Sequence, residues 1–211
     1  MEKYNYRKDP HQDIDHVFRD LLPAHGMVER PAQVELSHQM LDAMLNGSIA
    51  LCDAGTGIGK TYAYLVAGVV FRRYRSRAGL PNQPLLISTS SIALQGAIIH
   101  DYLPFLSKVM MADGMLDSPL RAVLRKGKSH YVCDARLMKR LQTANLDRKN
   151  PLAKAALLSM RDHLDLDMAP HLSGYDRERI CVPPTCDCGK TECRYLCYLD
   201  VCASERYAIQ V

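Results

Sequence analysis

Asp53-Ala54-Gly55-Thr56-Gly57-Ile58-Gly59-Lys60-Thr61 is the stretch that most limits how this chain can fold. An apolar run, Ile49-Ala50-Leu51-Cys52, precedes it, and a helical pattern from Tyr62 to Phe71 follows. Strand, glycine-rich turn, Lys-Thr and helix is the layout of a phosphate-binding loop. Glycines at 55, 57 and 59 permit positive φ and leave no Cβ in the way. Successive amides can then point inward as an anion nest, and the helix adds its positive dipole end. In this layout Lys60 reaches the β/γ-phosphates and the Thr61 hydroxyl ligates Mg²⁺. Ala54 stands where the strict pattern has Gly, and a small residue still permits the turn.

The flanking sequence reads as an α/β domain. Ile14, Val17, Phe18, Leu21 and Leu22 recur at helical spacing, in a helix expected to end before Pro23. Pro31 opens a second helix, with Val34, Leu41, Met44 and Leu45 on one face and Gly47 at its end. The Lys60 helix runs into Arg72-Arg73-Tyr74-Arg75, which reads as a solvated C-terminal turn. Leu85 to Thr89 reads as a buried strand, and Ser90-Ser91 as the cap of a helix reaching about Tyr102, before Pro104. A short strand follows at Ala122 to Leu124, then helical pattern from Asp134 to His163 with a break near Pro151. Alternating strands and helices point to a largely parallel sheet. Asp162 to Asp167 lacks the Gly and terminal Glu of a calcium loop and reads as a solvated loop.

Eight cysteines form the second anomaly, six of them between Cys181 and Cys202. The polar N-terminus, Met1 to Arg7, lacks a signal peptide's apolar stretch, which places the chain in the cytoplasm. No run approaches a membrane span, so no membrane partner is expected. Cytosolic thiols are kept reduced, so this density reads as a metal site rather than disulfides. Thiolates suit iron–sulfur clusters and Zn²⁺ alike, and spacing alone leaves the two open. Cys52 reads as a buried strand thiol, and Cys197 and Cys202 as packing residues. A net charge of +4 permits nucleic-acid contact without arguing for it.

Four blocks in order resemble the N-terminal portion of DinG/XPD-type superfamily 2 DNA helicases, the iron–sulfur helicases. They are Arg30-Pro31-Ala32-Gln33, the loop Asp53–Thr61, Ser88 to Gln95 with Asp101-Tyr102-Leu103-Pro104, and Arg125 to Cys133. The resemblance implies a P-loop NTPase (RecA-like) motor domain, incomplete here, with an inserted, mostly helical, cysteine-rich cluster domain. It places the motor portion at 1–128, the cluster domain at 129–203 and a returning strand at 204–211. It implies ATP, Mg²⁺ and a structural [4Fe-4S] cluster, with Zn²⁺ as the alternative. The nucleotide site would comprise Gln33, which recognises adenine, with Ala54, Gly55, Thr56, Gly57, Gly59, Lys60 and Thr61. Cys133, Cys181, Cys186 and Cys193 would hold the cluster, with Cys188 as the substitute for Cys186. Thr89, Ser91 and Gln95, joined by the basic Arg125–Lys128 run, would contact single-stranded or forked DNA through its phosphates. The implied activity is ATP-driven 5′-to-3′ unwinding by a monomer, with the cluster domain as a wedge.

Three departures stand out. His130 replaces the family's usual Asn, Arg194 follows Cys193 where Pro is common, and the sequence contains no Asp-Glu dipeptide. Without a D-E-A-H box the chain reads as an N-terminal fragment with negligible hydrolysis of its own. A stand-alone nucleotide- and metal-binding module is the alternative. A P-loop kinase leaves the 88–95 and 126–133 blocks unexplained.

Overall fold

The computed structural model describes residues 9–81, 83–143, 151–186, 188–189, 193–204 and 209–210. They form two compact units. The first runs to Leu124 and includes a strand near the C-terminus; the second begins at Arg125.

The first unit is built on helices α1 (Pro10–His16), α2 (Pro31–Asn46), α3 (Lys60–Arg77), α4 (Ile92–Ala97) and α5 (Leu103–Ala112). Asp9 caps α1 through its side chain, and Gly47 closes α2 in the left-handed conformation at φ 62°. Ile14, Val17, Phe18, Val34, Leu41, Leu65, Val66, Val69, Leu106 and Met110 interlock as its core. The apolar stripes read from the sequence thus face inward.

Neither helix stops ahead of its proline as the sequence predicts. A π-helical turn at Val17–Leu21 carries the first helix through Pro23 to Ala24. A second π turn at Ile98–Tyr102 carries α4 into α5 through Pro104. Proline has no N–H for the carbonyl four residues back, and its ring crowds that carbonyl. A widened turn just upstream shifts the register and relieves both problems.

The arginines at the end of α3 do not form a solvated turn. Arg73 and Arg77 lie 3.6 Å and 3.2 Å from the Asp13 carboxylate, whose side chain is 1% exposed. This ties α1 to α3 across the core. Ala122–Val123 (β1) and Ile209–Gln210 (β2) pair in parallel, with Ala122 opposite Ile209. The apolar run before the phosphate loop forms no strand: Ile49 is 92% and Leu51 97% exposed, and Cys52 is exposed rather than buried. A central parallel strand needs hydrogen-bonding neighbours on both edges, and among the described residues this run has none.

The second unit packs α6 (Asp134–Thr143), α7 (Pro151–Ser159), α8 (Gly174–Ile180) and α9 (Arg194–Ser204). Val132, Leu137, Leu157, Met160, Leu166 and Ile180 form one core. Tyr131, Cys133, Val182, Cys193 and Tyr195 form a second, smaller one. Ser173 caps α8, and Arg140 of α6 donates to Asp176 of α8 at 2.6 Å. The expected break near Pro151 adjoins residues 144–150, and the polar arm mostly precedes Asp9; both stretches lie outside the described residues.

The Asp162–Asp167 stretch is not a solvated loop. Lys126 Nζ donates to Asp165 at 2.5 Å and to Asp167 at 2.8 Å, and Arg177 donates to the other Asp167 oxygen at 2.7 Å. His130 Nδ1 lies 3.2 Å from Asp167, giving the unusual residue at this position a structural partner. The Lys126 side chain is only 6% exposed. Its expected role in the DNA track is therefore corrected: its charge is consumed inside the unit.

Candidate nucleotide site and cysteine loop

The phosphate loop turns on two glycines. Gly57 and Gly59 have φ of 83° and 86°, and Gly59 directly precedes α3. Gly55 is absent from the positive-φ glycines, so the freedom expected of it is not used. Gly59 is doubly restricted, because a Cβ there would run into Gln33 Nε2.

Side chains from the start of α2 brace the loop. Gln33 Nε2 donates to the Gly59 carbonyl at 2.6 Å, and Arg30 donates to the Gly57 carbonyl at 2.6 Å. Gln33 is buried and serves here as a strut under the loop. Lys60 is exposed, and its ammonium donates to the carbonyls of Ala54 at 2.9 Å and Gly55 at 2.8 Å. The cation thus lies against the mouth of its own loop. Thr56 is exposed on the turn and Thr61 half-buried in the first turn of α3. Among the described residues no backbone carbonyl takes the amides of Gly55 through Thr61. A string of free amides at the N-terminus of an 18-residue helix is chemically an anion receptor.

Thr89, Ser91 and Gln95 are brought together by a helix cap. Ser91 Oγ accepts from the Leu94 amide at 3.2 Å and Thr89 Oγ1 from the Ser91 amide at 3.1 Å. Gln95 Nε2 donates back to the Thr89 carbonyl at 3.0 Å. Gln95 is buried, and its Oε1 has no hydrogen-bond partner. Sequence reasoning found these residues as ligand contacts and read Ser90-Ser91 as the helix cap, which Ser91 is; it missed the supporting bonds from Thr89 and Gln95, for which the Ser-x-x-x-Gln spacing at a helix start was the available signal.

In the second unit the cysteines divide. Cys133 and Cys193 are buried in the small core with Tyr131 and Tyr195. Asp134 accepts from the Arg194 amide at 3.3 Å and from its Nε at 2.7 Å, stapling together the residues that follow the two cysteines. Arg194, where the family often has Pro, thus has its own structural role. Cys186 and Cys188 are both exposed. The hydrogen bond between their thiols, and the nearby thiols of Cys133 and Cys193, push Cys188 up to about 11. Cys202 is buried, as a packing residue should be, while Cys197 is exposed.

Cys181 is placed differently. It forms an antiparallel bridge with Val132, flanked by Cys133 N to Ile180 O at 2.8 Å and Val182 N to Tyr131 O at 2.8 Å. That pattern makes Val132 and Cys181 a non-hydrogen-bonded pair, with both side chains on one face. Cys181 accordingly packs against the larger core with Val132, whereas Cys133 and Val182 alternate to the other face. The Cys181 thiol donates to the Glu178 carbonyl at 3.3 Å, in the last turn of α8. Of the expected foursome, Cys133 and Cys193 thus share the small core, Cys181 packs against the larger one and Cys186 is exposed. Among the described residues no three His, Cys, Asp or Glu side chains are gathered so as to hold a metal ion.

No protein-family profile matches the chain. It is 31% identical over 139 residues, 66% of its length, to the 3′-5′ exonuclease DinG of Bacillus subtilis, of which this covers 13%. It is 31% identical over 129 residues, 61% of its length, to the ATP-dependent DNA helicase YoaA of Haemophilus influenzae, of which this covers 18%. It is 35% identical over 85 residues, 40% of its length, to the ATP-dependent DNA helicase DinG of Photobacterium profundum, covering 10% of that protein. The matched stretches thus span less than a fifth of these relatives. Among the described residues no helix is long and apolar enough to cross a membrane. With the phosphate loop and its bracing helix in place, these matches make the chain, over the part they cover, a relative of the DinG-type helicases.

Proposed function

We propose that the chain is the nucleotide-binding portion of an ATP-dependent DNA helicase, a P-loop motor unit with a thiol-rich second unit. The observation that carries this reading is the loop at Gly57–Gly59, whose amides are free of backbone carbonyls and whose lysine lies at its mouth. An incoming triphosphate replaces the Ala54 and Gly55 carbonyls as the partner of Lys60. Its charge is then met by the amides of the turn and by the positive end of α3. Thr61 would supply the hydroxyl that holds Mg²⁺, which neutralises phosphate charge when bound. Arg30 and Gln33 keep the loop in shape by holding its carbonyls away from the anion. Adenine recognition by Gln33 would require it to exchange its bond to Gly59.

Single-stranded DNA would lie along the start of α4, where Thr89 and Ser91 are polar and accessible at their edges. Backbone contacts of this kind carry no sequence preference. The exposed apolar run at 49–51 and the exposed Leu86 supply edges that further strands of a parallel sheet would cover. A thiolate-held metal centre in the second unit, iron–sulfur ahead of zinc, belongs to the same reading; no catalytic step is routed through it.

The test uses the longest protein that contains this sequence. ATP-driven unwinding of forked DNA with a 5′ tail is expected, and Lys60→Ala is expected to abolish it. Unwinding that survives Lys60→Ala would overturn the reading. Chain 1–211 by itself should turn over ATP negligibly, since no Asp-Glu pair is present to activate water.

A further inference from the structure

We propose that His11 and His38 form a proton-held clasp between α1 and α2, complete only when the two rings together carry one positive charge, so that the docking of these helices depends on pH. The inference stands apart from the nucleotide and metal readings.

His11 Nδ1 and His38 Nδ1 lie 2.8 Å apart. On the outer sides, His11 Nε2 lies 3.0 Å from Asp42 and His38 Nε2 lies 3.1 Å from Asp15. The line Asp42–His11–His38–Asp15 thus changes helix at every step. His11 and Asp15 stand four residues apart on α1, as do His38 and Asp42 on α2, so each helix offers one ring and one carboxylate on one face. The ring centres are 5.1 Å apart, with the planes tilted by 23°. That spacing is the gap between the nitrogens plus about one ring radius at either end, so the two Nδ1 atoms meet head-on. A metal ion does not fit there, because two in-line bonds of about 2.0–2.1 Å would hold the nitrogens about 4 Å apart. A proton does fit.

The three hydrogen bonds of this line need three ring protons. Two neutral imidazoles carry two, which leaves one bond unmade. Two imidazolium rings carry four, which sets one Nδ1–H against another. The singly charged pair alone makes all three bonds, with its charge held between two carboxylates. The other charged groups nearby have their own partners. Arg19 lies 3.4 Å from Asp15 and 3.5 Å from Glu29, and Glu35 accepts from Gln39 along α2 at 2.9 Å. From α3, Arg73 and Arg77 engage Asp13, which is turned toward another face of α1. His16, at the end of α1, is held by Asp20 and Asp113 and titrates apart from the pair.

The count of protons fixes the sign. Stability rises with pH where the unfolded chain binds more protons than the folded one, and falls where it binds fewer. Well below the ordinary imidazole value of about 6.5, the unfolded chain charges both histidines and so holds one proton more than the clasp. Well above it, the unfolded chain charges neither and holds one fewer. The clasp's contribution therefore peaks within the imidazole range and declines on both sides. Since α2 begins at the Arg30–Gln33 brace, opening the clasp loosens the helix that holds the phosphate loop.

The experiment is nitrogen-15 NMR of the ring-labelled histidines in the 211-residue chain from about pH 5 to pH 8, with urea unfolding at each pH. A nitrogen–nitrogen coupling across the bond between the two Nδ1 atoms is expected in mid-range and absent at both ends. The two rings should titrate as a pair, in two steps shared between them. The urea midpoint should pass through a maximum in wild type that is lost in His11→Gln and in His38→Gln. Rings that titrate independently, with no coupling at any pH, overturn the proposal; this reading needs only the wild-type chain. A urea midpoint with the same pH dependence in wild type and both variants overturns it as well.

Discussion

The phosphate loop and the cysteine loop are both exposed turns rich in small or reactive residues, yet they hold their chemistry in opposite ways. In the phosphate loop the functional groups are consecutive in sequence. Two left-handed glycines and one helix start suffice to aim them, and α2 braces the result with Arg30 and Gln33. In the cysteine loop the thiols come from segments far apart, and a two-residue ladder decides which of them faces which way. A contiguous motif carries its geometry with it. A dispersed one inherits its geometry from packing, so spacing alone does not say which core a residue faces.

The largest expected effect would break the second unit's own framework. Lys126 is nearly buried between Asp165 and Asp167, so removing one carboxylate leaves a poorly solvated cation. Asp167→Asn should cost about 2–3 kcal/mol in urea unfolding followed by circular dichroism, with the partial exposure of Asp167 discounting the fully buried case. The pH dependence has a definite sign. Burial tends to raise the Asp167 carboxyl, but hydrogen bonds from Lys126 and Arg177 overcome it and hold it at about 2. A carboxylate lowered on folding stabilises above its unfolded value of 3.8, and that contribution is lost as pH falls toward about 2. Lys126, lowered by burial but raised further by the two aspartates, stabilises up to its ordinary 10.5 and loses this only in stronger base. Wild type should therefore lose stability between about pH 4 and pH 2 more steeply than Asp167→Asn. Equal acid profiles would show that the network contributes nothing.

Next comes the phosphate loop. Gly59→Ala forces a side chain into a left-handed conformation and against Gln33 Nε2. It should weaken nucleotide binding about tenfold, or about 1.4 kcal/mol, while leaving the helical circular dichroism of the chain intact. Unchanged affinity would mean that the brace from α2 is dispensable. The smallest effect belongs to the cap of α4. Ser91→Ala should cost about 1 kcal/mol in thermal or urea unfolding, a folding penalty separate from any loss of DNA contact. Loss of DNA binding with unchanged stability would sharpen the case for Ser91 as a ligand contact rather than a cap.

Sequence patterning located much of the first unit. The stripe from Ile14 to Leu22 and the cap at Gly47 are local features, and local physics fixes them. The π turns ahead of Pro23 and Pro104 were not legible, because proline ordinarily ends a helix and only tertiary packing makes the widened turn worthwhile. The fate of the arginines on α3 was hidden for a similar reason: their partner, Asp13, lies on another helix. At the candidate site, Lys60, Thr61 and the turn glycines could be read from one nine-residue stretch. Lys126 could not, since a basic run gives no hint of the carboxylates waiting at 165 and 167. The face of Cys181 depends on a pairing with Val132 that no spacing encodes.

The central claim is that the turn before α3 is a triphosphate receptor with Lys60 as its movable cation. Isothermal titration of Mg-ATP into the 211-residue chain, alongside Lys60→Ala, tests it most directly. The account predicts measurable binding by wild type and a loss of about tenfold or more in Lys60→Ala, with the fold unchanged by circular dichroism, because the side chain is exposed and touches only loop carbonyls. Equal affinity of the two proteins for Mg-ATP would contradict it.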